Sequence, residues 1–138
     1  MTVFRWPLTL LALALVWFAV SAHARGKLVA GDDAFVRMDY ESAMSSYSSA
    51  LLRDPAQPEI LWRMARLYLC LGDLSPEDHQ QEYYKKAEEY ARQSILADST
   101  VSEGHTWRAA ALGSLAMDGS AKEKIQLSRA EGRHSKAV

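Results

Sequence analysis

Residues 43–72 read Ala-Met-Ser-Ser-Tyr-Ser-Ser-Ala-Leu-Leu-Arg-Asp-Pro-Ala-Gln-Pro-Glu-Ile-Leu-Trp-Arg-Met-Ala-Arg-Leu-Tyr-Leu-Cys-Leu-Gly. Ala43, Tyr47 and Ala50 recur at four- and three-residue spacing and stop at Asp54-Pro55; beyond Pro58 the recurrence resumes with Leu61, Met64, Ala65, Tyr68 and Gly72. Such spacing lays a stripe along one face of a helix, and the prolines close one helix and open the next. Two antiparallel helices approach closely only where small side chains lie between them. Ala43, Ala50 and Ala65 therefore mark the seam of helix pairs, with Tyr47 and Tyr68 filling the space beside it.

Outward from this stretch the pattern returns. Gly31 stands twelve residues before Ala43, where an earlier helix would carry its small residue. Ala87, Tyr90, Ser94, Ile95 and Asp98-Ser99 form a later back half, and His105, Ala109 and Leu112 a weaker third front half. Nothing in residues 25–138 alternates with period two, and Ala, Leu, Glu, Arg and Lys dominate, so the fold class is all-α. Turn-forming residues at Asp39, Asp54-Pro55 with Pro58, Gly72-Asp73 with Ser75-Pro76, Asp98-Ser99-Thr100 and Asp118-Gly119-Ser120 divide the chain into six helical segments, or about three antiparallel pairs. Gly31, Ala65 and Ala109 on first helices are expected to meet Ala43, Ala50 and Ala87 on second ones. The polar, acidic stretch from Asp73 to about Gln81 is expected to lengthen the bend of the second pair.

The small, aromatic, small, proline order resembles the tetratricopeptide repeat, with the second back half arriving about ten residues later than the ~34-residue period. Stacked pairs of this kind share one continuous core and line a concave groove with their first helices. Residues 51–68, 83–95, Gly-His-Thr-Trp at 104–107 and Lys-Glu-Lys-Ile at 122–125 resemble, more narrowly, the tetratricopeptide domain of the regulator of microtubule dynamics family and its bacterial relatives, over about residues 28–126. That resemblance implies a non-catalytic helical-repeat adaptor; some eukaryotic members associate with microtubules or membranes. The family continues past this point into further amphipathic repeats, whereas Gln126–Val138 turns rich in Ser, Arg, Gly and His. The alternative expectation is thus a shortened product, incomplete without a partner or self-association.

Residues 6–22 carry no charge and follow a single basic residue, Arg5, and Ala22-His23-Ala24 places small residues where a signal peptidase reads. The strongly apolar part, Leu8–Val20, has the length of a signal-peptide core and falls short of a membrane span. Residues 1–24 are read as a signal peptide, residues 25–131 as the repeat domain and residues 132–138 as a disordered tail. The expected location is an exported one, periplasmic or secreted; the alternative is a membrane anchor over residues 6–22. The full chain of 138 residues has 16 basic and 17 acidic side chains, net −1. Removal of Arg5 with the signal leaves 15 against 17, net −2. Such a balance offers nothing to a phosphate backbone, so nucleic acid is not an expected partner.

Little chemistry is legible. Cys70 is the single cysteine and lies in the apolar turn Leu67-Tyr-Leu-Cys-Leu, where it reads as a small hydrophobe. The four histidines are far apart, with no two at the one-turn spacing of a zinc helix, no glycine-rich phosphate loop is present, and Ser45, Ser46, Ser48 and Ser49 read as a polar helix face. No enzyme activity, cofactor or metal is expected. The one constellation that points to binding is Glu59, Trp62, Arg63, Arg66 and Leu69, with Cys70, at three- and four-residue spacing on the helix after Pro58. An aromatic plane with forked cations one turn away suits an acidic peptide or protein; Trp107 and Arg108 open the next such helix. The competing reading packs Trp62 against a neighbouring pair and leaves the arginines in water. The carboxylate-clamping mode known for tetratricopeptide grooves uses asparagines, and this chain has none.

Overall fold

Pro58 is the first residue of a helix, where its missing N–H costs no hydrogen bond, and Pro76 is the N-cap of the next. Between such punctuation marks the computed structural model, which describes the backbone of residues 26–134 and the side chains of residues 26–120, is helical. The helices are α1 (26–36), α2 (Tyr40–Leu51), α3 (Pro58–Leu74), α4 (Glu77–Ala97) and α5 (Ser102–His134), and no strand occurs among the described residues. The expected signal peptide lies outside the described residues. The expected tail from residue 132 coincides with the last turn of α5 and then, at residues 135–138, also lies outside them. No helix among the described residues is long and apolar enough to cross a membrane. The chain forms two compact units that divide between Pro55 and Ala56.

The first unit is the hairpin of α1 and α2. Its turn is a Schellman motif: Met38 N–H donates to the Phe35 carbonyl and Asp39 N–H to that of Ala34, both at 2.9 Å, with Met38 at φ 60° in the left-handed position that glycine usually takes. Asp39 then caps α2 by accepting the Ser42 N–H at 3.1 Å, and hydrogen bonding from the Ser42 side chain, and next from its backbone N–H, holds the Asp39 carboxyl below the usual range. Gly31 meets Tyr47, and Phe35 meets Tyr40 with ring centroids 5.5 Å apart, so the two helices run antiparallel. Ala34, Ala43, Tyr47 and Ala50 are buried. The close approach on Gly31 is made by the Tyr47 ring and not by a small residue, which corrects the expected meeting of small side chains at this position.

The second unit holds α3, α4 and α5. Ser75 ends α3 by donating its hydroxyl to the Leu71 carbonyl at 2.7 Å, and Glu77 and Asp78 open α4 at the positive end of its dipole. The turn is two residues long. Asp73 and Leu74 belong to α3 and residues 77–82 to α4, so the extra length goes into helix and the expected long bend is absent. The cause is composition: Glu77-Asp-His-Gln-Gln-Glu carries no residue that opposes a helix once Pro76 has started one.

Contacts fix the direction of each helix. Ser94 donates its hydroxyl to the Pro58 carbonyl at 3.0 Å, while Tyr84 sits on Gly72, so α4 returns antiparallel along α3. Gly104 lies against Ser94 and Ile95, and Arg108 Nε reaches Glu88 at 2.8 Å, so α5 reverses again along α4. Leu61, Met64, Ala65, Ala87, Ala91, Ser94 and Ala111 form the centre of this unit, all between 0 and 2 % exposed.

Two expectations about α5 are corrected. It passes without a break through Asp118-Gly119-Ser120, so the described helices number five, with α5 a single helix of 33 residues where a third pair was expected. An internal glycine costs only about 1 kcal/mol relative to alanine, no proline enforces a stop, and the Ser120 hydroxyl turns back onto the Met117 carbonyl at 3.0 Å. The register is also displaced. Ala111 is buried and Ala109 exposed, because the run Ala109-Ala-Ala offers no large side chain to set the phase. His105 is exposed and bonds the Ser99 carbonyl at 3.0 Å.

Candidate functional site

The first three turns of α3 gather the residues singled out from the sequence. Pro58 starts the helix, so Glu59 falls in its first turn, and Trp62 and Arg63 follow at the i+3 and i+4 positions that share its face. Trp62 Nε1 donates to Glu59 Oε2 at 3.0 Å. Arg63 Nη1 donates to the same oxygen and to the Glu59 carbonyl, both at 2.7 Å. The Arg63 guanidinium lies 4.1 Å from the centroid of the Trp62 ring and that of Arg66 lies 5.3 Å from it, within cation–π range.

Burial grades this group. Trp62 is 9 % exposed and the Arg63 side chain 16 %, whereas the Glu59 side chain is 46 % exposed. The indole N–H of a buried ring and a mostly buried guanidinium thus converge on one oxygen of a carboxylate that is half in water. Leu69 and Cys70 are half-buried further along α3, related to the cluster by helix spacing. Burial, and after it the Asp73 carboxylate, push the Cys70 thiol up, which disfavours a thiolate. Arg108 is committed to Glu88 on α4, so it serves the α4–α5 contact.

Sequence spacing gave no sign of several contacts. Glu88 and Arg108 are 20 residues apart and meet only because α5 doubles back on α4. Tyr68 stacks on Tyr90 with centroids 5.4 Å apart and rings 7° from parallel, and the Lys86 ammonium stands 5.8 Å from the Tyr68 ring and 5.9 Å from that of Tyr83. Lys86 is itself paired with Glu82 at 2.8 Å. Among the described residues no three of His, Cys, Asp and Glu converge as metal ligands do.

The family described as regulator of microtubule dynamics protein 1-3 matches residues 28–135. The chain belongs to that family. The match runs from the first turn of α1 past the end of α5, so it takes in both compact units and the whole α3 cluster. No curated protein matches the chain.

Proposed function

We propose that the protein is a non-catalytic scaffold of tetratricopeptide type that binds a protein or peptide partner, with Glu59, Trp62, Arg63, Arg66 and Leu69 on α3 as the binding face. The observation that carries this reading is the meeting of Trp62 and Arg63 on Glu59, with Arg66 beside the same ring. Aromatic and arginine side chains fixed in one place lose little entropy on binding and are the residues that dominate interface energetics. The family's description as regulators of microtubule dynamics fits a protein that acts by binding. The partner class we propose is acidic.

Export belongs to the same proposal: residues 1–24 act as the signal, and the partner resides in the exported compartment. Recovery of the protein from cells followed by N-terminal sequencing tests this, with Arg25 the expected first residue. Capture of partners from that compartment, with wild type and a Trp62→Ala, Arg66→Ala double variant in parallel, tests the face. A partner retained equally by both proteins overturns it.

A second reading is favoured by α5. Ala109, Leu112, Gly113, Ala116 and Met117 are exposed on a helix that carries no charge between Arg108 and Asp118. That face is suited to burial, and the array is completed by a second copy or a missing partner.

A further inference from the structure

We propose that the α3 cluster is a carboxylate receptor whose seat is held in the free protein by Glu59 of the same helix, and that a carboxylate of the partner displaces it. The proposal rests on the scaffold reading above and adds to it the ligand group and an internal competitor. Donors and acceptor are held unequally. Trp62 Nε1 and Arg63 Nη1 converge on the single oxygen Glu59 Oε2 at 3.0 and 2.7 Å. An indole N–H only donates, and a guanidinium is never neutral, so both groups require an acceptor wherever the ring and stem are buried.

The donors are held and the acceptor is loose. Trp62 is 9 % exposed, and Arg63 is fixed twice more, by its stacking at 4.1 Å on the indole and by the bond from Nη1 to the Glu59 backbone carbonyl. When the Glu59 side chain swings away, that carbonyl stays, and the guanidinium keeps its place. Glu59 is half in water already, in the first turn of α3, and turning outward returns its carboxylate to solvent at small cost. The vacated seat offers an indole N–H and a forked cation, with the Arg66 guanidinium flanking the same ring at 5.3 Å. Charge-assisted bonds of this kind select a carboxylate over a neutral amide.

A carboxylate reaches this seat either from an Asp or Glu side chain or from a chain end. Calorimetry on the full chain with three probes separates these sources: an N-acetylated, C-amidated tetraglutamate; a neutral alanine-glycine peptide with a free carboxyl terminus; and the same neutral peptide amidated. Binding of the first alone assigns the seat to acidic side chains, binding of the second alone to chain ends, and the amidated control stays silent. Glu59→Gln keeps an acceptor for both donors but removes the competing charge, and is expected to tighten the bound probe roughly tenfold. Trp62→Phe, which keeps the ring and loses the donor, and Arg63→Ala are each expected to weaken it by a similar factor. Equal affinity in wild type and Glu59→Gln overturns the internal competitor, yet leaves the scaffold reading standing if Arg63→Ala still weakens binding. Absence of binding by every carboxylate probe to folded wild type and folded Glu59→Gln overturns the receptor itself.

Discussion

Tyr84 donates its phenolic proton to the Asp73 carboxylate over 2.9 Å, and its ring occupies the space that Gly72, one residue earlier, leaves without a side chain. The first unit repeats the device: Tyr47 donates to Asp32 at 2.6 Å with its ring on Gly31. In each hairpin a Gly-Asp pair on one helix receives a tyrosine from the other. The glycine admits the ring, and the aspartate supplies the acceptor that a buried phenol requires.

This contact decides the sign of a glycine substitution. A Cβ at Gly72 would stand 2.5 Å from Tyr84 Cε1 and 2.7 Å from Cδ1, inside a buried ring that has nowhere to go. Gly72→Ala is expected to destabilise by about 1–3 kcal/mol, more than the roughly 0.5–1 kcal/mol that alanine contributes inside a helix. Gly113→Ala is the control, since nothing lies within 4 Å of that position, and it should stabilise by about 0.5–1 kcal/mol. Urea melts of both variants check the pair. A Gly72→Ala protein as stable as wild type would place Tyr84 elsewhere.

The phenol also gives a pH dependence. Burial, and next the bond to Asp73, push the Tyr84 hydroxyl up to about 12. A raised value means that the folded state holds the proton more tightly than the unfolded chain, whose phenols titrate near 10. The contribution is therefore complete below about pH 10 and is lost as the pH rises from about 10 to 12. Tyr84→Phe should cost about 0.5–1.5 kcal/mol at neutral pH. Wild type should then lose more stability than Tyr84→Phe between about pH 9.5 and 11.5. Parallel alkaline curves for the two proteins would contradict the assignment.

What the sequence disclosed follows from where each partner lies along the chain. Glu59, Trp62, Arg63 and Arg66 share one helix face at i+3 and i+4, so their meeting is legible from spacing alone. Ala43, Ala50, Ala65 and Ala87, read as seam residues, are fully buried because a stripe anchored by tyrosines has a definite phase. Tyr47 follows Gly31 by sixteen residues and Tyr84 follows Gly72 by twelve, so no fixed period links the two contacts. Glu88 and Arg108 meet across two helices, and nothing local announces it. The uninterrupted course of α5 was hidden because Asp-Gly-Ser is ordinary turn chemistry, overridden here by helix on both sides.

Met38 is the one described non-glycine residue with a positive φ, and the residue is 76 % exposed. The left-handed conformation costs an L-residue roughly 1–2 kcal/mol, and little packing is lost when an exposed side chain is removed. Met38→Gly should stabilise the α1–α2 hairpin by about 0.5–1 kcal/mol after allowance for the larger unfolded-state entropy of glycine. Thermal denaturation reads the change directly. A destabilised variant would mean that the turn is held by Met38 contacts and not by its backbone geometry.

The outer face of α5 is apolar and exposed. Leu112 is 47 % and Met117 74 % exposed, and between them lie Gly113 and Ala116, both open to solvent. The nine residues from Ala109 to Met117 include no charge, so two such faces can approach about a two-fold axis without like-charge repulsion. The small residues permit close approach, and the Leu and Met side chains leave water on contact. The protein is expected to self-associate through this face, with a mass that rises with concentration in sedimentation equilibrium. Leu112→Glu sets two carboxylates against each other across the axis and should return the monomer. Its effect on the stability of a single chain should stay within about 0.5 kcal/mol, because the side chain already stands partly in water. Wild type that remains monomeric at every concentration, or Leu112→Glu that associates as wild type does, would rule this face out as the contact.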